Sequence, residues 1–133
     1  MIQTLTPETV EQVHEHLTRY FSKSDDPISP SGIKSRELLE SAVYKQEAGF
    51  GDYRKYDTPV SSAAALMYGV CCNHPFHNGN KRTALLCGVM HLDSNGLSLT
   101  SRVNRDQLFK LMIDIAGHAL VPMPRKTRRG TKT

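Results

Sequence analysis

Nothing in this sequence marks a disulfide scaffold, a cysteine metal site or a membrane span. Its three cysteines, Cys71, Cys72 and Cys87, form neither an even set for pairing nor a ligand spacing. All three lie in apolar helical text, where a reduced thiol packs as a small hydrophobe. No apolar run approaches the ~20 residues that a spanning helix needs, and the first residues show no basic-then-apolar leader pattern, so the cytoplasm is the expected setting. Internal repeats and multi-strand alternation are missing as well. His14, His16, His91 and His118 have no paired ligand spacing, and each reads as a surface or a satisfied core side chain.

A basic body is also absent once the charge is located. The 133 residues carry +4, with 17 Lys and Arg against 13 Asp and Glu. Five of those cations, Arg125, Lys126, Arg128, Arg129 and Lys132, fall in the last nine residues, and without them the remainder carries −1. Overall charge is therefore no argument for nucleic acid, and direct nucleic-acid binding is not expected. The length suits one domain able to bury roughly two-thirds of its unfolded surface. The expected division is a domain over residues 1–122 and a basic, solvated, disordered tail over residues 123–133.

What the sequence does contain is helix text with clear punctuation. Thr6, Pro7 and Glu8 supply a cap, a preset first turn and an acid at the positive end of a helix whose apolar face is Val10, Val13, Leu17, Tyr20 and Phe21. Residues 22–32, rich in Ser, Asp and Pro, must cross as a loop. A second helix starts near Ser35, repeats Leu38, Leu39, Ala42 and Val43 on one face, and its text ends near Gly49. Residues 50–58, FGDYRKYDT, mix aromatic with charged side chains and suit an exposed hairpin or flap. Thr58 and Pro59 open a third helix that must stop before Pro75, which pushes His74 out of helical space. A fourth runs from Asn80 to the terminator at Asn95 and Gly96. The third and fourth helices are apolar on nearly every face and belong at the centre of the fold. A last helix, capped by Asn104, carries Leu108, Leu111, Met112, Ile115 and Ala119 on one side.

Between the two central helices lies NHPFHNGNKR, with two His, three Asn, a Gly, a Lys and an Arg in ten positions. Gly79 and Asn80 lead into a helix start, where the first N–H groups lack partners and the dipole is positive, so an anion fits there. Lys81 adds a compact charge and Arg82 a planar fork suited to phosphate oxygens. Cations at a helix start otherwise cost about 0.3–1 kcal/mol, which an anion would remove. His74 can accept a proton near neutral pH, as a base for a hydroxyl attacking phosphorus. Phe76, alone among polar neighbours, points into the core and anchors the loop.

The string HPFHNGNKR resembles the active-site motif of the Fic/Doc superfamily, His-x-Phe-x-(Asp/Glu)-(Gly/Ala)-Asn-(Gly/Lys)-Arg, and fits six of its seven prescribed letters. The helix order, SRELLESAV, the flap and KRTAL resemble the Doc (death on curing) branch over about residues 5–120. The resemblance implies an all-α fold, a Fic/Doc-type helical bundle with a central helix-loop-helix and a short flap hairpin. By position it makes His74 the catalytic base, Gly79 and Asn80 the anion-binding turn, Arg82 the triphosphate clamp and Lys81 a further phosphate contact. Tyr53, Arg54 and Tyr56 fall on the flap, which in related proteins holds a target segment by strand-like pairing. The implied activity is that of a toxin of a toxin–antitoxin pair, a kinase taking phosphate from ATP with Mg to a hydroxyl of elongation factor Tu and halting translation. A small antitoxin is the implied partner. The Ser/Thr-x-x-x-Glu-(Gly/Asn) self-inhibitory motif of other Fic proteins is not in the chain, in keeping with inhibition in trans. One letter departs: Asn78 stands where the family has the acid that holds Mg, and an amide oxygen is a poorer ligand for a hard cation. AMP transfer, or a catalytically weak nucleotide- or protein-binding module, are the alternatives.

Overall fold

The computed structural model describes residues 1–97; the last helix, His118 and the tail over residues 123–133 lie outside the described residues. Four α-helices and one hairpin make up the described part, in the order α1 (Pro7–Tyr20), α2 (Arg36–Tyr44), β1 (Gly49–Phe50), β2 (Tyr53–Arg54), α3 (Pro59–Asn73) and α4 (Asn80–Ser94). The all-α architecture with a short flap hairpin is the one the sequence leads to. None of these helices is long and apolar enough to cross a membrane.

Each helix begins where its sequence punctuation puts it. The Thr6 hydroxyl accepts the Thr9 N–H at 3.1 Å, and Ser35 accepts that of Leu38 at 3.2 Å. At α3, Thr58 and Ser61 cap each other's backbone N–H reciprocally. A single 3-10 turn, Lys45–Glu47, carries α2 into the hairpin, whose antiparallel register pairs Gly49 with Arg54 and Phe50 with Tyr53.

Helices α3 and α4 form the centre, with α2 packed on α3 and α1 on α4. Their shared core is Val10, Leu39, Ala42, Val43, Leu66, Val70, Ala84 and Cys87, nearly all without exposed surface. At roughly 1.5–3 kcal/mol for each fully buried large apolar side chain, this cluster is the principal stabilising term. Some side chains depart from the sequence pattern: Tyr20, read as part of the apolar face of α1, is 73% exposed at the end of that helix. Leu38, on the apolar stripe of α2, is exposed, whereas Leu39, Ala42 and Val43 make up the buried side of the helix. Cys72 is half-buried, whereas Cys71 and Cys87 are buried as expected.

The N-terminal segment is held by amides acting as backbone surrogates. Gln46 accepts the Leu5 N–H at 3.2 Å and donates to the Leu5 carbonyl at 2.7 Å. Asn95 does the same for Gln3, at 2.7 and 2.9 Å.

Candidate functional site

The central loop leaves α3 through a left-handed residue. His74 has φ 52° and ψ 56°, a conformation that ends the helix and gets round the clash that Pro75 would make with a helical predecessor. The imidazole is half-buried. The loop is then stitched to the segment before α2. Pro75 O accepts from Lys34 N and Ser35 N at 2.7 and 3.1 Å, His77 N donates to Gly32 O at 3.1 Å, and Ile33 bridges Phe76.

Phe76 is fully buried and lies flat against the His14 ring, with centroids 3.9 Å apart and planes 8° from parallel. It anchors the loop as its sequence context requires. His14 was readable only as a surface or satisfied core histidine, and it is the latter. Its Nε2 accepts the Gly32 N–H at 3.1 Å, so the ring proton sits on Nδ1 and is donated to Thr83 Oγ1, also at 3.1 Å. Burial, and secondarily the Arg82 guanidinium, push its pKa down to about 4, against a smaller upward pull from Glu11. The ring is therefore neutral at pH 7. Beside it, a cavity of about 310 Å³ runs between α1 and the loop, walled by Glu11, Glu15, Thr18 and Arg19, with Phe76 as the loop residue it reaches.

Asn80 spends its side chain on the loop itself: Oδ1 accepts Phe76 N–H at 2.9 Å and Nδ2 donates to Phe76 O at 3.0 Å. What Asn80 can offer an anion is thus its backbone N–H. Gly79, with φ 77°, is the N-cap of α4 and supplies no side-chain cap. A Cβ at Gly79 would lie 2.8 Å from Ile28 Cδ1, so both the conformation and the close approach of Ile28 demand glycine. Lys81 is half-buried. Arg82 reaches back to the loop between α1 and α2, with Nη1 donating to Asp26 O at 2.7 Å, Nη2 3.8 Å from the Asp26 carboxylate and the guanidinium 4.6 Å over the Phe21 ring.

Asn78 is engaged at both ends of its amide. Oδ1 accepts the Gly79 N–H at 2.7 Å and Nδ2 donates to Ser29 O at 3.1 Å. Mg binds oxygen ligands, as a rule one or two carboxylates together with substrate phosphates. The loop offers it one neutral oxygen that already accepts a hydrogen bond, and no group of three or more His, Cys, Asp or Glu poised for a metal exists among the described residues. This donor set does not fit the ion.

On the flap, Tyr53 is exposed and Tyr56 half-buried. Arg54 turns inward: Nη2 donates to Gln46 O at 3.1 Å, and its buried Nε has no hydrogen-bond partner. It ties the hairpin to the helical body. Phe50, which the sequence reading did not single out, is 83 % exposed and faces Tyr53 with ring centroids 6.0 Å apart. Its position between Gly49 and Gly51 was the signal available. Cys71 and Cys87 are not nucleophiles at neutral pH: burial pushes Cys71 up to about 11, with Cys72 adding and Lys81 opposing, and pushes Cys87 up to about 12.

A left-handed exit from one buried helix, a core-anchored Phe and a glycine entry to the next, followed by two cations, define a helix-loop-helix of one kind. The chain belongs to the Fic/DOC family, whose model matches residues 4–92. Among characterised relatives it is similar to Toxin Doc of Mycolicibacterium smegmatis, at 31% identity over 84 residues, 63% of this chain. The match spans about 65% of that relative's length. No solved structure matches the chain.

Proposed function

We propose that the chain is a Doc-like toxin that transfers the γ-phosphoryl group of ATP to a protein hydroxyl. The observation carrying this reading is the loop geometry: His74 ends one buried helix in a left-handed turn, and the uncapped first turn of the next presents backbone N–H groups beside Lys81 and Arg82. Family membership and the Toxin Doc relative support it. In this mechanism the α4 N-terminus, Lys81 and Arg82 hold the phosphates. His74 takes the proton of the target hydroxyl as its oxygen bonds to phosphorus and the bond to the ADP oxygen breaks. The flap, with Tyr53, Tyr56 and Phe50, receives the target segment, and Arg54 fixes the flap's base. By family resemblance the target is elongation factor Tu in the cytoplasm, and a small antitoxin masks the toxin.

Intact mass of elongation factor Tu after incubation with the protein and ATP tests this. A single phosphate adduct is expected; a nucleotide adduct would replace the kinase reading with AMP transfer, and an unmodified target would remove the transferase reading in favour of a binding module. His74→Ala should abolish the adduct while ATP affinity changes by less than about threefold, because removing a proton acceptor leaves the phosphate contacts in place. Retained turnover would remove the base assignment.

A further inference from the structure

Two motif residues reach out of the loop to the same short segment. Asn78 Nδ2 donates to Ser29 O at 3.1 Å, and Arg82 Nη1 donates to Asp26 O at 2.7 Å. Between these fastenings Ile28, 3% exposed, lies on Gly79 so closely that a methyl group there would sit 2.8 Å from its Cδ1. Residues 26–29 therefore form a strap across the turn that begins α4.

The orientation of the Asn78 amide is fixed by its partners. Gly79 N–H can only donate, so oxygen faces it; the Ser29 carbonyl can only accept, so nitrogen faces it. A carboxylate at position 78 would keep the first bond and set an oxygen against the Ser29 carbonyl, two acceptors with no proton between them. The residue type at 78 is thus fitted to the strap, at the expense of the charge a divalent cation would want. The other fastening is weaker on its charged side. The Asp26 carboxylate is 87% exposed and 3.8 Å from Nη2, a solvent-screened pair that a phosphate engaging the whole guanidinium fork outcompetes.

We propose that Asn78 is the clasp of a strap and not a metal ligand: it holds residues 26–29 closed over Gly79 and Arg82, and nucleotide phosphate enters by displacing Asp26 from Arg82 with no divalent cation held at residue 78. The nucleotide part rests on the proposed function; the clasp does not.

Hydrogen–deuterium exchange on the full chain without nucleotide tests the clasp. Asn78→Asp and Asn78→Ala should each speed exchange of the amides of residues 26–32 roughly tenfold or more while α3 amides keep their protection. Unchanged exchange in the strap overturns the proposal. Should either variant lose protection throughout, the other is read, and Asn78→Gln serves as a third. Manganese binding followed by electron paramagnetic resonance is the second arm. Wild-type protein is expected to leave the ion free, and binding that Asn78→Ala removes would overturn the metal-free assignment. In ATP titrations, affinity should differ by less than about threefold between excess EDTA and excess magnesium, and Asp26→Ala should tighten it severalfold. A gain of about tenfold or more with magnesium, or no gain in Asp26→Ala, overturns the entry route. If wild-type protein binds no ATP in either buffer, the proposed function and the entry route fail together, and the exchange and manganese arms still decide the clasp.

Discussion

The imidazole of His14 lies flat on Phe76 and commits both ring nitrogens, one to the Gly32 N–H and one to the Thr83 hydroxyl. It thereby joins α1, the segment before α2 and the first turn of α4 to the loop that carries His74. His14→Phe keeps a flat ring against Phe76 but removes the partner of the buried Thr83 hydroxyl and of the half-buried Gly32 N–H; a buried unsatisfied group costs about 1–3 kcal/mol, and the Gly32 donor, open in part to water, adds less. Urea denaturation should show that loss, and Thr83→Val in the His14→Phe background should add little, since the two share one bond. Full additivity would mean that the bond contributes nothing. Phe76 was legible because a lone aromatic among polar residues has only the core to enter. His14 was not, because its hydrogen-bond partners stand 18 and 69 positions away and no local pattern points to them. Arg54 shows the same limit: on a two-residue strand it reads as a flap contact, and only the 3-10 turn that presents the Gln46 carbonyl turns it inward.

At the scale of elements, the α2–α3 contact is set by Gly69, where a Cβ would stand 2.7 Å from the Ala42 carbonyl oxygen and 3.1 Å from Ala42 Cα. Backbone cannot swing aside, so Gly69→Ala should force α2 outward and cost about 1–3 kcal/mol as overpacking. Gly88, on α4, makes its comparable approach to the Met67 side chain. A thioether chain has rotamers to spare, so Gly88→Ala should cost distinctly less, with helix propensity returning up to about 1 kcal/mol. Equal melting temperatures for the two variants would contradict this account. Helix starts were legible throughout the described chain, and the stops of α3 and α4 with them, because Thr6, Ser35, Thr58, Pro75 and Gly96 act through bonds within a few residues. The end of α2 was not, since its text runs on toward Gly49 while the helix gives way after Tyr44 to the 3-10 turn Lys45–Glu47. Which face of α2 is covered was not legible, since Leu38 and Leu39 are alike in sequence and differ only in which side the neighbouring helices cover. The loop's family pattern was legible at His74, Phe76, Gly79 and Arg82, whereas the ties of Asn78 and Arg82 to residues 26–29 required the fold to bring that segment across.

For the molecule as a whole, two buried histidines among the described residues, His14 and His91, make stability a function of pH. His14 is held down to about 4, by burial first and by Arg82 second. His91, whose Nε2 is hydrogen-bonded to Ser62 Oγ at 3.0 Å, is also held below its ordinary value, by burial first and by Arg54 to a lesser degree, with a backbone hydrogen bond opposing. In the unfolded chain both return to 6.5. Between about 4 and 6.5 the unfolded state therefore binds more protons than the folded one, and stability rises with pH across that window. Above it the contribution is fully present; as pH falls it is lost, for His14 by about 3 kcal/mol on reaching pH 4, at 1.36 kcal/mol per unit. Protonation there would also turn the Nε2 acceptor into a donor facing the Gly32 N–H, so the site loop should loosen along with the core. Urea midpoints should fall steadily from pH 7 to pH 4.5 in the wild-type chain, and His14→Gln, which cannot titrate, should flatten that slope. A slope unchanged by His14→Gln would place the acid sensitivity elsewhere.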